Sequence, residues 1–147
     1  MKKYNIICEP VAEYKLAKSK VNNSEDSARV AREIFSDEKF QILVKEYAVA
    51  ILINKANAVV GHLVLSEGGT DATIIDPKLV GKAICDTLSQ GLILVHNHPS
   101  GQLSASAQDV QMTKRIEKVC NVFDVRLLDH IILTDGGYYS LRDNDLI

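Results

Sequence analysis

The chain has 147 residues and a formal net charge of −2, and 46% of its residues are hydrophobic while 24% are charged. This length and composition are typical of a single globular domain with one hydrophobic core, so we expect one domain over residues 1–147. No run of eighteen apolar residues predicts a membrane span, and the balanced charge gives no electrostatic support for a nucleic-acid partner.

The N-terminal third predicts an irregular start, one helix and a central strand. Residues 3–17 alternate loosely around Pro10, which indicates an irregular or edge strand pair. Apolar residues then recur at helical spacing over 25–36, with Ser24 as the expected N-cap. An apolar run over 44–54 predicts a central strand.

The middle of the chain predicts a hairpin followed by a helix. A turn at 55–58 joins the central strand to a partner strand over 59–65, and a loop and a short strand at 73–75 follow. Asp76 as N-cap and Pro77 at the first position open a helix that should end at Gln90-Gly91. Its expected apolar face consists of Val80, Ala83, Ile84, Thr87 and Leu88.

The C-terminal part predicts a strand over 92–96, a helix over 106–120 and strands over 125–134 and 138–141. The helix carries a buried stripe of Val110, Thr113, Ile116, Val119 and Cys120. This order of elements predicts a mixed α/β fold, with a largely antiparallel sheet flanked by helices.

The strongest chemical signal lies where the strand over 92–96 ends. The apolar run gives way to His96-Asn97-His98-Pro99. Alternate side chains of a strand point the same way, so His96 and His98 can face one side together. Proline cannot continue the ladder, so Pro99 turns the chain.

A second polar group follows six residues later. Ser106 is a good N-cap, and Asp109 then lies in the first helical turn, where the helix dipole favours a carboxylate. The intervening loop can fold this turn back against the histidines. Two imidazoles and one carboxylate suit Zn²⁺ with a fourth position open to water, so we predict one zinc ion per chain on His96, His98 and Asp109.

A hydrolase of this kind also needs a group that accepts a proton from water, and glutamate is well suited to that role. Glu46 is the foremost residue because it opens the apolar central strand, where a charge needs a partner. The alternative is a solvated strand-end charge beside Lys45. Other glutamates considered are Glu13, Glu25, Glu33, Glu38, Glu67 and Glu117.

The remaining polar residues have less specific interpretations. Asn97 points away from its histidine neighbours and should tie down the turn. His130, after Asp129, could support a metal ligand or be a satisfied core histidine. His62 is not expected to be a ligand. The cysteines are widely spaced and odd in number, which predicts buried free thiols in a reducing cytoplasm: Cys8, Cys85 and Cys120.

The string from His96 to Asp109, His-x-His-Pro-x6-Ser-x-x-Asp, is similar to the motif of the JAMM (MPN-plus) metalloproteases. The fuller string at 96–101 is His-Asn-His-Pro-Ser-Gly, and Asp129-His130 follows farther along the chain. Together they resemble the RadC branch of that family. The resemblance covers residues 25–147. It departs at Ala105, where RadC-like sequences often have proline, and this changes loop stiffness rather than ligand chemistry.

The resemblance implies a deaminase-like α-β-α sandwich and a zinc-dependent metallopeptidase or isopeptidase, in which a zinc-bound water attacks an amide carbonyl. The pattern Glu-aromatic-x-Val-x-x-Leu at 46–52 implies that Glu46 is the general base and then acid. It also implies that the Ser106 hydroxyl stabilises the oxyanion, a role that competes with helix capping. The partner would be a peptide or isopeptide.

The sequence can also be compared with three other functions. A non-catalytic MPN-type binding module would not need an intact ligand set. A nucleobase deaminase requires His-x-Glu and Pro-Cys-x-x-Cys, which this sequence lacks. A DNA-repair role is suggested only by the name of the RadC group, whose longer members carry an N-terminal helix-hairpin-helix segment not expected here. An exposed edge strand could pair in a homodimer.

Overall fold

The computed structural model describes residues 19–68 and 75–147, which form an open sheet with helices on both faces. The helices are α1 (Ser24–Phe35), α2 (Pro77–Thr87) and α3 (Ala107–Val122). The strands are β1 (Tyr47–Ile53), β2 (Val59–Glu67), β3 (Gly91–Asn97), β4 (Arg126–Thr134) and β5 (Gly137–Ser140). Within the described residues, none of the helices has the length and apolar character that crossing a bilayer requires.

The sheet has the strand order β2-β1-β3-β4-β5. Neighbouring strands run antiparallel except β3 and β4, which are parallel and are joined by α3. A parallel pair needs such a crossover, and the helix in it must pack back onto the sheet. The predicted mixed, largely antiparallel sheet flanked by helices is confirmed.

The sequence predicts one hydrophobic core, but the sheet divides the buried residues into two cores, which gives a three-layer α-β-α sandwich. On one face, α1 packs through residues such as Ile34 against alternate β1 side chains that include Ile51. On the other face, α2 and α3 cover the intervening β1 side chains, and Leu52 packs with residues such as Ile116. Because both faces are covered, every residue of β1 and β3 is buried, which explains their continuous apolar runs.

The helix starts are well predicted, with one correction. Asp76 caps α2 and accepts a hydrogen bond from the backbone N–H of Lys78, with Pro77 in the first turn as expected. Helix α1 is capped by Asn23, not Ser24, because the Asn23 side chain accepts from the backbone N–H of Asp26 (2.8 Å). Asparagine caps as well as serine, so the helix begins one residue earlier.

Other predicted boundaries are wrong for local reasons. The strand predicted to start at residue 44 starts at Tyr47, because 42–45 form turns. Helix α2 ends at Thr87, and Leu88 adopts a left-handed conformation (φ 50°) and is 81% exposed instead of lying on the apolar face. The strands predicted over 3–17 and, except for Ile75, over 73–75 lie outside the described residues.

Asp129 is a buried carboxylate that holds the C-terminal end of the sheet together. It accepts hydrogen bonds from the hydroxyl of Ser140 (2.7 Å) and from the backbone N–H of Arg142 (3.2 Å). Burial raises the pKa of Asp129, although these hydrogen bonds act in the opposite direction. Within the predicted Asp129-His130 pair, the aspartate therefore anchors β5 and the segment after it, while the histidine faces the site described next.

Candidate metal centre

The two motif histidines lie where β3 ends and face the same side. His96 is buried in the strand, and the backbone N–H of His98 still bonds to the carbonyl of Leu133 in β4 (2.9 Å). The Nε2 atoms of the two rings are 2.8 Å apart. The strand alternation that the sequence predicts therefore brings both imidazoles to one point.

The first turn of α3 returns to the same point. Ser106 caps the helix in a capping box: its hydroxyl accepts from the backbone N–H of Asp109 (3.1 Å) and donates to Asp109 Oδ2 (2.6 Å). This box holds the carboxylate, so that Asp109 Oδ1 lies 3.2 Å from His96 Nε2 and Oδ2 lies 3.6 Å from His98 Nε2. The cap thus orients the third member of the group.

A buried hydrogen-bond chain determines which nitrogen of His96 carries a proton. The hydroxyl of Thr113 donates to the carbonyl of Asp109 (2.6 Å), so it must accept from His130 Nδ1 (2.6 Å). His130 Nε2 then accepts from His96 Nδ1 (2.7 Å). Burial lowers the pKa of His130 well below its ordinary value, in keeping with a neutral ring. The network therefore leaves a lone pair on His96 Nε2.

His98 is oriented in the same way by the loop. Its Nδ1 lies 2.9 Å from the carbonyl oxygen of Gln102, which can only accept, so Nδ1 carries hydrogen. Hydrogen bonding to Asp109 raises the pKa of His98. Burial would raise the pKa of Asp109, but hydrogen bonds with His96 and His98 outweigh it and hold that pKa well below its ordinary value. When His98 is neutral, three electron-pair donors therefore converge on one point, and a proton on His98 Nε2 or a metal ion can lie between them.

A metal ion fits this donor set. One ligand atom from each residue lies within 4.8 Å of the other two. The nitrogen–nitrogen distance (2.8 Å) and the shorter nitrogen–oxygen distance (3.2 Å, to Asp109 Oδ1) are close to the edge of about 3.3 Å that tetrahedral zinc gives with bonds of about 2.0–2.1 Å. His96, His98 and Asp109 could therefore hold a metal ion, with a further position open to the cleft beside them.

The other metal-binding residue types lie elsewhere. His62 is half-buried on β2. The prediction that Cys85 is buried is wrong, because it lies outside the buried face of α2 that Val80, Ala83 and Ile84 form, and it is exposed. Cys120 is in the hydrophobic core, where burial raises the pKa of its thiol to about 11. Within the part of the chain that the structure describes, these three residues do not join the group, as the sequence predicts.

Glu46 lies beside the group, immediately before β1. The β1–β3 pairing extends to Ala48 and His96, so Glu46 stands two residues before the β1 residue that pairs with His96. Glu46 lines the same cleft as the three-residue group, a cleft of about 780 Å³, and its charge contributes to the raised pKa of His98. Among the described glutamates considered above, the others do not line this cleft: Glu25, Glu33, Glu38, Glu67 and Glu117.

Asn97 holds the backbone on which Glu46 is carried. Its side-chain oxygen accepts from the backbone N–H of Tyr47 (2.7 Å). Its side-chain nitrogen donates to the carbonyls of Ile42 and Lys45 (2.8 Å each). Asn97 does tie down a turn, but this turn is the segment before β1, which the apolar pattern predicts as the start of a strand.

The role of Thr113 was not predicted. Its helical spacing predicts a place in the apolar stripe of α3, and Thr113 is indeed fully buried. A buried threonine one helical turn after a ligand aspartate was the available signal, because a buried hydroxyl needs a polar partner. Nothing in the sequence indicated that this partner is His130, which lies on another element.

Comparison with known proteins agrees with this geometry. A family model described as a RadC-like JAB domain matches residues 21–146. A UPF0758 protein of Flavobacterium johnsoniae is 37% identical over 135 residues, which are 92% of this chain and 57% of that protein. A UPF0758 protein of Enterococcus faecalis is 33% identical over 132 residues, which are 90% of this chain and 56% of that protein. The chain thus spans little more than half the length of these relatives.

Replacing Asn97 with alanine should loosen the segment that carries Glu46. The change removes three buried hydrogen bonds, so we expect the free energy of unfolding to fall by about 2–3 kcal/mol. Amide hydrogen exchange should also speed up over residues 42–47. Urea denaturation and exchange measurements check both, with the exposed Asn121→Ala as control. Equal effects of the two substitutions would contradict the assignment.

Proposed function

The chain belongs to the RadC-like JAB domain family, and on that premise we propose that it is a zinc-dependent hydrolase of the JAMM type that cleaves peptide or isopeptide bonds. The observation that carries the proposal is the convergence of His96, His98 and Asp109 in one cleft, with Glu46 beside them. The names of the relatives state no activity, so the reaction is inferred from the chemistry of these residues.

His96, His98 and Asp109 would hold one Zn²⁺ per chain. When bound, zinc acidifies a water molecule and polarises a carbonyl oxygen, which is the chemistry that amide hydrolysis requires. The residues suit zinc, because two neutral imidazoles and one carboxylate leave a fourth position for solvent or substrate. A closed structural site would need a fourth protein ligand, and the described group offers three.

Glu46 would move the protons. A carboxylate beside the attacking water can take its proton and later deliver a proton to the departing amine. Glu46 is half-buried, and its backbone is held by hydrogen bonds between the adjoining residues and Asn97. This support favours a general base over a solvated charge at the end of a strand.

Ser106 would act chiefly through Asp109. Its hydroxyl proton is donated to Asp109 Oδ2, and its oxygen accepts from the Asp109 backbone, so the side chain is occupied by the capping box. Ser106 also lines the cleft. Stabilising an oxyanion would require the hydroxyl to turn away from Asp109, so we propose the positioning role first and the oxyanion role as the alternative.

A non-catalytic binding module is the competing function. A binding module would account for the fold and for the cleft, but it would not require a carboxylate such as Glu46 beside a potential metal centre. Binding to nucleic acid and activity in DNA repair receive no specific support from the described residues. The measurements below separate metal binding from hydrolysis, and so separate the two functions.

Zinc binding should depend on the three-residue group. Loss of a residue that merely supports a ligand costs about 10–100-fold in metal affinity, so His98→Ala, which removes a ligand, should cost more than that. We expect near-stoichiometric zinc on the wild type, none on His98→Ala, and no change for His62→Ala. Competition with a chromophoric chelator measures the affinities. Equal zinc affinity of the wild type and His98→Ala would overturn the site.

The buried hydrogen bonds from His96 through His130 to Thr113 should also affect zinc affinity, almost as strongly as the ligands do. His130→Phe keeps an aromatic side chain but leaves His96 Nδ1 without its acceptor, and we expect zinc affinity to fall about 10–100-fold. Thr113→Val should cause a smaller fall. The matched control is Thr134→Val. Thr134 is a buried threonine that takes no part in these hydrogen bonds, so its replacement should alter stability without altering zinc affinity. A zinc affinity unchanged in His130→Phe would contradict this role.

Replacing Glu46 with glutamine should separate binding from catalysis. General acid–base groups contribute about 10²–10⁴-fold in rate, so we expect hydrolysis to slow by that factor while zinc affinity is kept. The substrates are two pools, one of linear peptides and one of lysine-linked isopeptides, read by mass spectrometry. Failure of the zinc-loaded wild type to cleave either pool would favour the non-catalytic module.

A further inference from the structure

The cleft that contains the candidate metal centre has two ends of opposite charge. The anionic groups that line it, Glu46 and Asp109, both stand at the metal end. Farther along α3, its lining includes three cations: Lys114, Arg115 and Lys118. All three are exposed, and no acidic side chain among residues 19–68 and 75–147 forms an ion pair with them. The proposed reaction gives these cations no role.

The cations follow one side of the helix away from the metal end. Lining residues recur at helical spacing, which makes that side a continuous wall: Gln108, Gln111, Met112, Arg115 and Lys118. At about 1.5 Å per residue, Arg115 stands about 9 Å and Lys118 about 13 Å beyond Asp109 along the axis. Side chains on a helix lean towards its N-terminus, so these two lean back towards the metal end.

The stretch between the two ends is less polar. Met112 is half-buried there, and the hydrophobic core reaches the cleft through Ile75 and Ile116. An extended peptide advances about 3.3 Å per residue, so a chain leaving the metal centre reaches Arg115 after about three residues and needs at least four to reach Lys118. Alternate side chains of an extended chain face the same side, so the residues that face the helix are about one, three and five residues from the metal centre. An apolar side chain could cover Met112 on the way.

We propose that the cleft binds an extended acidic peptide segment, with a substrate carboxylate on Arg115 and a second one near Lys118. The acidic side chains would stand about three and five residues from the bond to be cleaved, on the same side of the extended chain. Arginine suits this task because its planar guanidinium pairs with a carboxylate through two parallel hydrogen bonds. The proposal rests on the proposed function, because it takes the metal centre as the place of cleavage.

The test measures binding without turnover, on zinc-loaded protein that carries Glu46→Gln. The probes are two octapeptides with an uncharged dye, each of alanine with one leucine. One has two glutamates two and four residues after the leucine, and the other has two lysines at those positions. Fluorescence anisotropy gives the dissociation constants of both peptides, at low and at physiological salt.

The matched variants are Arg115→Glu and Lys55→Glu, each added to that protein. Both change the net charge by the same amount, but Lys55 is exposed in the β1–β2 turn, at the end of the sheet away from the metal centre. We expect the glutamate peptide to bind about tenfold more weakly to Arg115→Glu, because a charge attraction becomes a repulsion. The lysine peptide should bind Arg115→Glu more tightly than the parent, a gain that misfolding cannot produce.

Three results would overturn the proposal. They are equal binding of the two peptides to the parent protein, an effect of Arg115→Glu no larger than that of Lys55→Glu, and no binding of the glutamate peptide at millimolar concentration. Zinc affinity and hydrolysis by the wild type are measured separately. Charge-dependent peptide binding without hydrolysis would therefore defeat the proposed function, and hydrolysis without charge preference would defeat this inference alone.

Discussion

The hydrogen-bond chain from His96 through His130 and Thr113 to the carbonyl of Asp109 is the interaction on which the site depends. It joins β3, β4 and α3 in the interior, where each unsatisfied polar atom would cost free energy. Because each member has a defined donor or acceptor role, the chain holds the His96 ring in one tautomer and one orientation. It also attaches the first turn of α3 to the sheet, which sets the position of the Asp109 carboxylate.

The topology explains why this chain of bonds lies where it does. β3 and β4 are the parallel pair of the sheet, and α3 is the crossover between them. A crossover helix starts beyond the carboxyl end of the first strand, and this is where α/β sheets place their ligands. The histidines at the end of β3 and the aspartate at the start of α3 are therefore neighbours. The positive end of the helix dipole adds to the stability of the ionised Asp109.

The same helix also links the metal end of the cleft to its basic end. α3 contributes Asp109 in its first turn, a half-buried methionine in the second and cations in the third and fourth. One rigid element thus sets both the position of the candidate metal centre and its distance from the charges that we assign to substrate binding. A site built on a helix holds such distances better than a site built on loops.

The sequence by itself determined the strongly patterned parts of this protein: the buried strands β1 and β3, the caps of α2 and α3, and the residue types of the candidate metal centre. These follow from local rules, since apolar runs, Asp-Pro and Ser-x-x-Asp act within a few residues. Only the tertiary structure decided that residues 42–45 turn around the Asn97 side chain and that Thr113 meets His130. It alone placed Glu46 in the same cleft as the two histidines and grouped three cations at one end of that cleft. Such contacts join elements far apart in the chain, and sequence periodicity carries no information about which faces meet.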